Sequence, residues 1–175
     1  MSETALLVID MQLGNFQGES PIENGIELLH NVNALINKAR TSNVPVFYIM
    51  NRGSEGDPDE PDTEGWEIHP EIAPLDDEVI VEKATPDAFH ETILKQNLEE
   101  LDVSRLIVAG LQTEYCIDTT CRRASLLGYD VVLVNDAHST WDSELLSAEQ
   151  IIAHHNRVLA GWFVALKGTD EIAFR

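Results

Sequence analysis

The chain is 175 residues long, is 43% apolar, and sets 31 acidic side chains against 11 basic ones, a formal charge of −20. That length and composition suit one folded domain over residues 1–175, and a surface this negative repels polyanions, so nucleic acid and anionic membranes are excluded as partners. No apolar run reaches the ~18–20 residues that span a bilayer, and the N-terminus shows no basic, cleavable leader, so a cytoplasmic protein is expected.

Apolar runs rich in Val, Ile and Leu alternate with segments of helical spacing, the pattern of βαβ units around a parallel sheet. Residues 4–9 form the first predicted strand, which Asp10 ends. Ile26, Leu29, Val32, Leu35, Ile36 and Ala39 then fall at i, i+3, i+4 steps and predict an amphipathic helix, stopped before Pro45. A second strand at 45–50 leads into residues 51–77, a long connection bearing proline, glycine and charge. Between Asn51 and Glu82 twelve acidic residues stand against Arg52 alone, which supplies more than half of the net charge. A loop longer than ~12–15 residues in a compact domain is usually functional or disordered.

The third strand, 78–82, ends at Lys83, and Ile93, Leu94, Leu98 and Leu101 mark a second helix. Strand 104–109 passes through Gly110–Tyr115 to Cys116, at the head of a third helix over 114–127 that stops before Gly128. A strand at 130–134, a helix at 147–160 and a short strand at 162–166 complete the chain. The sum is a three-layer α/β/α Rossmann-like sandwich around a mainly parallel, roughly six-stranded sheet with right-handed crossovers.

In such a sheet ligands bind beyond the carboxyl ends of the strands, where Asp10, Lys83 and Cys116 stand. A helix start favours the thiolate of Cys116, and a nearby lysine favours it further, so a lowered thiol pKa is expected. Carboxylate, ammonium and thiol together make a hydrolytic set. Position alone is better served by a turn or cap at Asp10, a solvated Lys83 and a small buried Cys116. Cys121 reads as a buried side chain, and its spacing from Cys116 is neither a zinc pattern nor a CxxC pair, so no disulfide is expected. His138, following Asp136-Ala137, offers an alternative Cys116-His138-Asp136 set. His154 and His155 are neighbours on a helix and point about 100° apart, which disfavours a shared metal. His30 and His90 read as surface residues.

The words Ala5-Leu6-Leu7-Val8-Ile9-Asp10-Met11-Gln12, Lys83 with Phe89 beyond it, Gly110-Leu111-Gln112-Thr113-Glu114-Tyr115-Cys116-Ile117-Asp118 and Gly128-Tyr129-Asp130-Val131-Val132-Leu133-Val134-Asn135-Asp136-Ala137 come in order over nearly the whole chain. They resemble the isochorismatase-like hydrolases, also called the cysteine amidohydrolase superfamily. The resemblance implies a triad of Asp10, Lys83 and Cys116, a cis peptide at Leu111-Gln112, and an oxyanion hole from the amides of Gln112 and Cys116. It also implies a small pocket lined by aromatics, for which Phe16, Trp66, Phe89 and Tyr115 are the candidates, and a homo-oligomer, dimer or tetramer.

Within that family Cys116 argues for C–N hydrolysis of a small amide, ureide or lactam through a thioester, since isochorismatases proper cleave a vinyl ether and typically lack this cysteine. Nicotinamidases carry a metal after the second strand on an Asp-x-His pair, where this chain reads Asn51-Arg52-Gly53 with no histidine until His69. The metal-free amidase branch, with no metal and no cofactor, is therefore expected. A metal-dependent nicotinamidase and a non-catalytic small-ligand-binding protein on the same fold stay open as alternatives. Trp66 either packs over the pocket or anchors the acidic loop. If that loop faces the mouth, a cationic or neutral amide is favoured over an anionic one. The apolar pair Trp162 and Phe163 is either an interface or core.

Overall fold

The computed structural model describes residues 3–174. Strand β1 (Glu3–Ile9) is buried at every position after the first, on both of its faces, which requires helices on each side of the sheet. β2 (Val46–Asn51), β3 (Val79–Lys83), β4 (Val103–Leu111), β5 (Asp130–Ser139) and β6 (Ala165–Lys167) join it in the order β3-β2-β1-β4-β5-β6, every pair parallel. The order reverses between β1 and β4, the point at which open α/β sheets bind ligands beyond the carboxyl ends of their strands.

Alternate side chains of β1 separate the two cores. Leu6 and Val8 pack with Leu28, Val32, Leu35 and Ile36 of helix α1 (Gly25–Thr41). Ala5, Leu7 and Ile9 pack on the other face with α2 (Leu94–Glu100), α3 (Asp118–Leu126) and α4 (Ala148–Leu159), through Leu94, Leu98, Cys121, Ala124 and Leu159. Ser147 caps α4 by accepting from the Gln150 amide, while Gln150 accepts from the Ser147 amide, which together make a capping box. Among the described residues no helix is long and apolar enough to cross a membrane.

Four local expectations change. Ile26 is 89% exposed, because the buried stripe of α1 runs from Leu28 rather than from its first turn. Ile93 and Leu101 flank α2 and lie exposed, leaving Leu94 and Leu98 to anchor it. β5 continues five residues past Val134: the exposed Asn135-Asp136 pair bulges out, and the ladder resumes at Gly110↔His138 after Val108↔Leu133. Asp136 leaves the sheet to accept from the backbone and hydroxyl of Thr169, at 2.8 and 2.7 Å. β6 begins only at Ala165, with Trp162 outside it and 88% exposed and Phe163 packed on the second core.

The connection from β2 to β3 has no α-helix. It holds short 3-10 turns at Glu64–Trp66 and Pro70–Ile72 and a single antiparallel bridge, Gln12↔Ile68, that laces it to the exit of β1.

Candidate active site

Asp10 is the first residue beyond β1 and adopts φ +52°, a left-handed conformation that Asp tolerates better than most residues. Its amide donates to Ile49 O at 2.8 Å and its carbonyl accepts Asn15 Nδ2 at 2.9 Å, so the backbone is fixed from both sides. Gly110, at φ +121°, lies against β1 so closely that a Cβ there would sit 2.1 Å from Ile9 O. Only glycine lets the end of β4 approach Asp10 in this way.

Lys83 ends β3 with its side chain wholly buried. Its ammonium reaches Asp10 Oδ2 at 3.0 Å, Cys116 Sγ at 3.2 Å and Asn51 Oδ1 at 3.1 Å. An ammonium has three N–H donors, and all three are used. Asp10 Oδ1 is buried with no hydrogen-bond partner among the described residues.

Cys116 lies in a π-type turn, Thr113–Ile117, that leads into α3, rather than in the first turn of the α-helix itself. The Leu111–Gln112 peptide is cis. Gln112 O accepts the amides of Tyr115 and Ile117, each at 3.2 Å, which folds the turn back under the thiol. Two braces reach it from beyond. Thr113 Oγ1 meets His138 Nδ1 at 2.9 Å, and His138 Nε2 meets Asn156 Oδ1 at 2.9 Å. Glu114 Oε1 accepts Gln112 Nε2 at 2.9 Å and Thr140 Oγ1 at 2.8 Å.

The electrostatics correct one expectation. Burial pushes the Cys116 thiol up to about 12 and the charge of Asp10 adds to it; Lys83 acts in the expected direction, downward, but only offsets part. The thiol therefore keeps its proton in the unliganded protein. Burial also raises Asp10 above the ordinary carboxyl range against the pull of Lys83, and Asp59 adds a smaller push the same way. For Lys83, burial draws the pKa down but Asp10 and then Cys116 outweigh it, so the group is held as ammonium. Cys121 is buried in the second core, its thiol also driven up by burial, and both cysteines are free.

Asp10, Lys83 and Cys116 thus come together. The alternative set does not: His138 is engaged by Thr113 and Asn156, Asp136 by Thr169, and burial pushes His138 down to about 4. The aromatic candidates scatter. Trp66 Nε1 donates to Asn51 O at 3.0 Å, and the Arg52 guanidinium lies 6.0 Å from its ring centre. Tyr115, beside Cys116, is exposed. Phe16 meets His69 edge-on at 5.0 Å and lines a separate groove of about 900 Å³ with Ile22, Ile26 and Leu29. Phe89 is buried in the second core and stacks on Tyr129 at 5.8 Å.

Three residues at the centre escaped the sequence reading as parts of the site: Asn51, Gln12 and Asp59. Asn51 ends β2 as Asp10 follows β1, which was the available signal. Gln12 is fully buried and clamps Asn51, donating to its carbonyl at 2.9 Å and accepting its amide at 2.9 Å, so the Asp-x-Gln word joins the ends of β1 and β2. Asp59 Oδ2 accepts Asn51 Nδ2 at 2.7 Å.

Other acids of the loop serve its own folding. Asp57 accepts Ser54 N at 2.7 Å, Glu60 accepts Gly56 N at 2.8 Å, Glu78 caps Leu75 N and pairs with Arg40 at 2.8 Å, and Glu82 pairs with Arg52 at 2.5 Å. The loop closes over the turn after β1 where Pro58 O presses between Gly14 and Gly65; Cβ atoms there would sit 2.0 and 2.2 Å from it. Among the described residues no three His, Cys, Asp or Glu side chains are grouped to hold a metal ion.

Comparison with known proteins agrees with the fold. Residues 4–155 match the family described as the isochorismatase domain. A streptothricin hydrolase of Streptomyces noursei is 37% identical over 79% of this chain, although the chain spans about half the length of that relative. Nicotinamidase 3 of Arabidopsis thaliana is 35% identical over 82% of this chain and 77% of its own. The crystal structure of an isochorismatase from Pseudomonas putida superposes with a TM-score of 0.91 at 30% identity, covering 97% of this chain and 90% of that one.

Proposed function

The chain belongs to the isochorismatase family, and on that premise we propose that it is a cysteine hydrolase, opening the C–N bond of a small amide, ureide or lactam through a thioester on Cys116. The observation that carries the reading is a single buried ammonium, Lys83, within 3.2 Å of both the Asp10 carboxylate and the Cys116 thiol. The names of two relatives, a streptothricin hydrolase and a nicotinamidase, support hydrolysis as the reaction class.

The thiol keeps its proton until it acts, and Asp10, with one buried oxygen unpartnered and its proton affinity raised, is the acceptor. Transfer of the Sγ proton to Asp10 accompanies attack on the carbonyl carbon, forming the S–C bond. The oxyanion rests on the amides of Gln112 and Cys116. The C–N bond then breaks, and the nitrogen leaves with the proton held by Asp10. Water gives a proton to Asp10 and attacks the thioester, and the departing sulfur recovers that proton. Lys83 stays an ammonium throughout and balances whichever neighbour carries the negative charge. Because Asp10 must begin ionised, the acid limb of kcat/KM lies above the ordinary carboxylate range.

Amine or ammonia release is to be measured over a panel that includes nicotinamide, N-carbamoyl amino acids and lactams. The expected result is turnover of at least one class, with Cys116→Ala lowering kcat by about 10⁴-fold or more at an unchanged melting temperature. Hydrolysis retained by the purified Cys116→Ala protein would sink the assignment.

A further inference from the structure

We propose that Asn51 and Asp59 form a positioning relay for Lys83, in which Asp59 fixes the direction of the Asn51 amide so that its oxygen becomes the third acceptor of the ammonium. The relay rests on the reading of Lys83 and Cys116 given above, and it reaches beyond the triad to the acidic loop.

Three facts carry it. First, the two neighbours of the Asn51 side chain are chemically unlike. An ionised carboxylate only accepts and an ammonium only donates, so Nδ2 faces Asp59 Oδ2 at 2.7 Å and Oδ1 faces Lys83 Nζ at 3.1 Å with no alternative flip. Second, the backbone of Asn51 is held independently of this contact. Its carbonyl accepts Gln12 Nε2 and Trp66 Nε1, and its amide donates to Gln12 Oε1. The side chain therefore swings from a fixed post. Third, Asp59 is built into place. Gly53 N donates to Asp59 O at 3.1 Å, and a Cβ on Gly53 would strike Asp59 Oδ1 at 2.2 Å, so glycine alone admits the carboxylate.

The consequence for Lys83 is geometric. With acceptors on Asp10, Cys116 and Asn51, each N–H has one target and the buried ammonium cannot turn. Without Asn51 Oδ1 one N–H is left unpaired and the group rotates to relieve it, loosening its hold on sulfur. Lys83 is the charge that draws the Cys116 thiol downward, so the loss reads out at the sulfur itself.

The test is the pH profile of Cys116 alkylation by iodoacetamide, followed by peptide mass in the full chain, with buried Cys121 as internal reference. Asn51→Leu and Asp59→Ala, which removes the acceptor of Asn51 Nδ2, are each expected to slow alkylation at pH 8 about tenfold or more and to move its midpoint upward. The double variant is expected to be no slower than Asn51→Leu alone, because Asp59 acts through Asn51. Glu64→Gln, which removes an exposed charge of the same loop, is expected to leave the profile unchanged. With a substrate from the panel, kcat falls in both relay variants while KM stays near that of the parent.

A parental profile in Asn51→Leu, or additive slowing in the double variant, overturns the relay; additivity would mean that Asp59 acts by charge alone. Should Asn51→Leu fail to fold, Asp59→Ala, which alters only the loop, decides by the same profile. Alkylation needs no turnover, so a failure of the hydrolase reading leaves this test intact and distinguishable.

Discussion

The turn Gln112–Ile117 and the connection 52–78 both lie beyond the carboxyl ends of strands and both bear on Lys83, yet different chemistry holds them. The turn is braced from β5 and α4 by a buried neutral imidazole, His138 between Thr113 and Asn156, and by Thr140 through the one carboxylate of the turn, Glu114. The connection is braced largely by carboxylates bonded to its own backbone at Ser54, Gly56 and Leu75. Burial explains the difference. A charge facing the core costs desolvation, so the histidine there stays neutral, whereas on the solvent side a short acid is the ready acceptor for turn amides. Much of the acidity of the chain is thus turn chemistry, and Asp59 is the loop acid whose hydrogen bond leads to Lys83 through Asn51.

The strongest way to break the comparison is to remove what the two regions share. Lys83→Met leaves the Asp10 carboxylate buried without its counter-charge, and a loss of about 3–5 kcal/mol in the urea unfolding free energy is expected, with hydrolysis abolished. Stability equal to that of the parent would mean that neither region depends on the ammonium. A change on the turn side comes next. Folded His138 titrates near 4 against 6.5 for the free group, so between those values the unfolded chain binds more protons and stability falls as pH drops. The loss is about 3 kcal/mol by pH 4, and His138→Gln is expected to remove that slope in urea midpoints taken at several pH values. A slope unchanged in the variant would place the acid sensitivity elsewhere. The smallest effect belongs to the loop. Gly65→Ala puts a Cβ 2.2 Å from Pro58 O and is expected to cost about 1–3 kcal/mol, with faster amide exchange confined to 52–69. Faster exchange spreading into 112–117 would show that the two regions are one mechanical unit.

Much of this was legible before any coordinates. Strand ends at Ile9 and Lys83 are readable because each apolar run stops at a polar residue, and the turn after β4 because Gly110 breaks the run. Ile26, by contrast, matches the helical period of α1 and still faces solvent, because period tells which residues share a face but not where along the helix the sheet ends. Asn135-Asp136 looks like the end of β5, and only pairing with β4 shows that the ladder resumes at His138.

Periodicity and short words along the chain suffice for the alternation of strands and helices, the parallel sheet and the three polar residues at strand ends. Tertiary structure alone decided that Asn51 and Asp59 reach the ammonium, that Phe89 lies in the core, and that the Cys116 thiol is raised rather than lowered. Each of those is set by how far a group is buried and which charges surround it, and the groups responsible come from four different strand ends that only the folded sheet brings together.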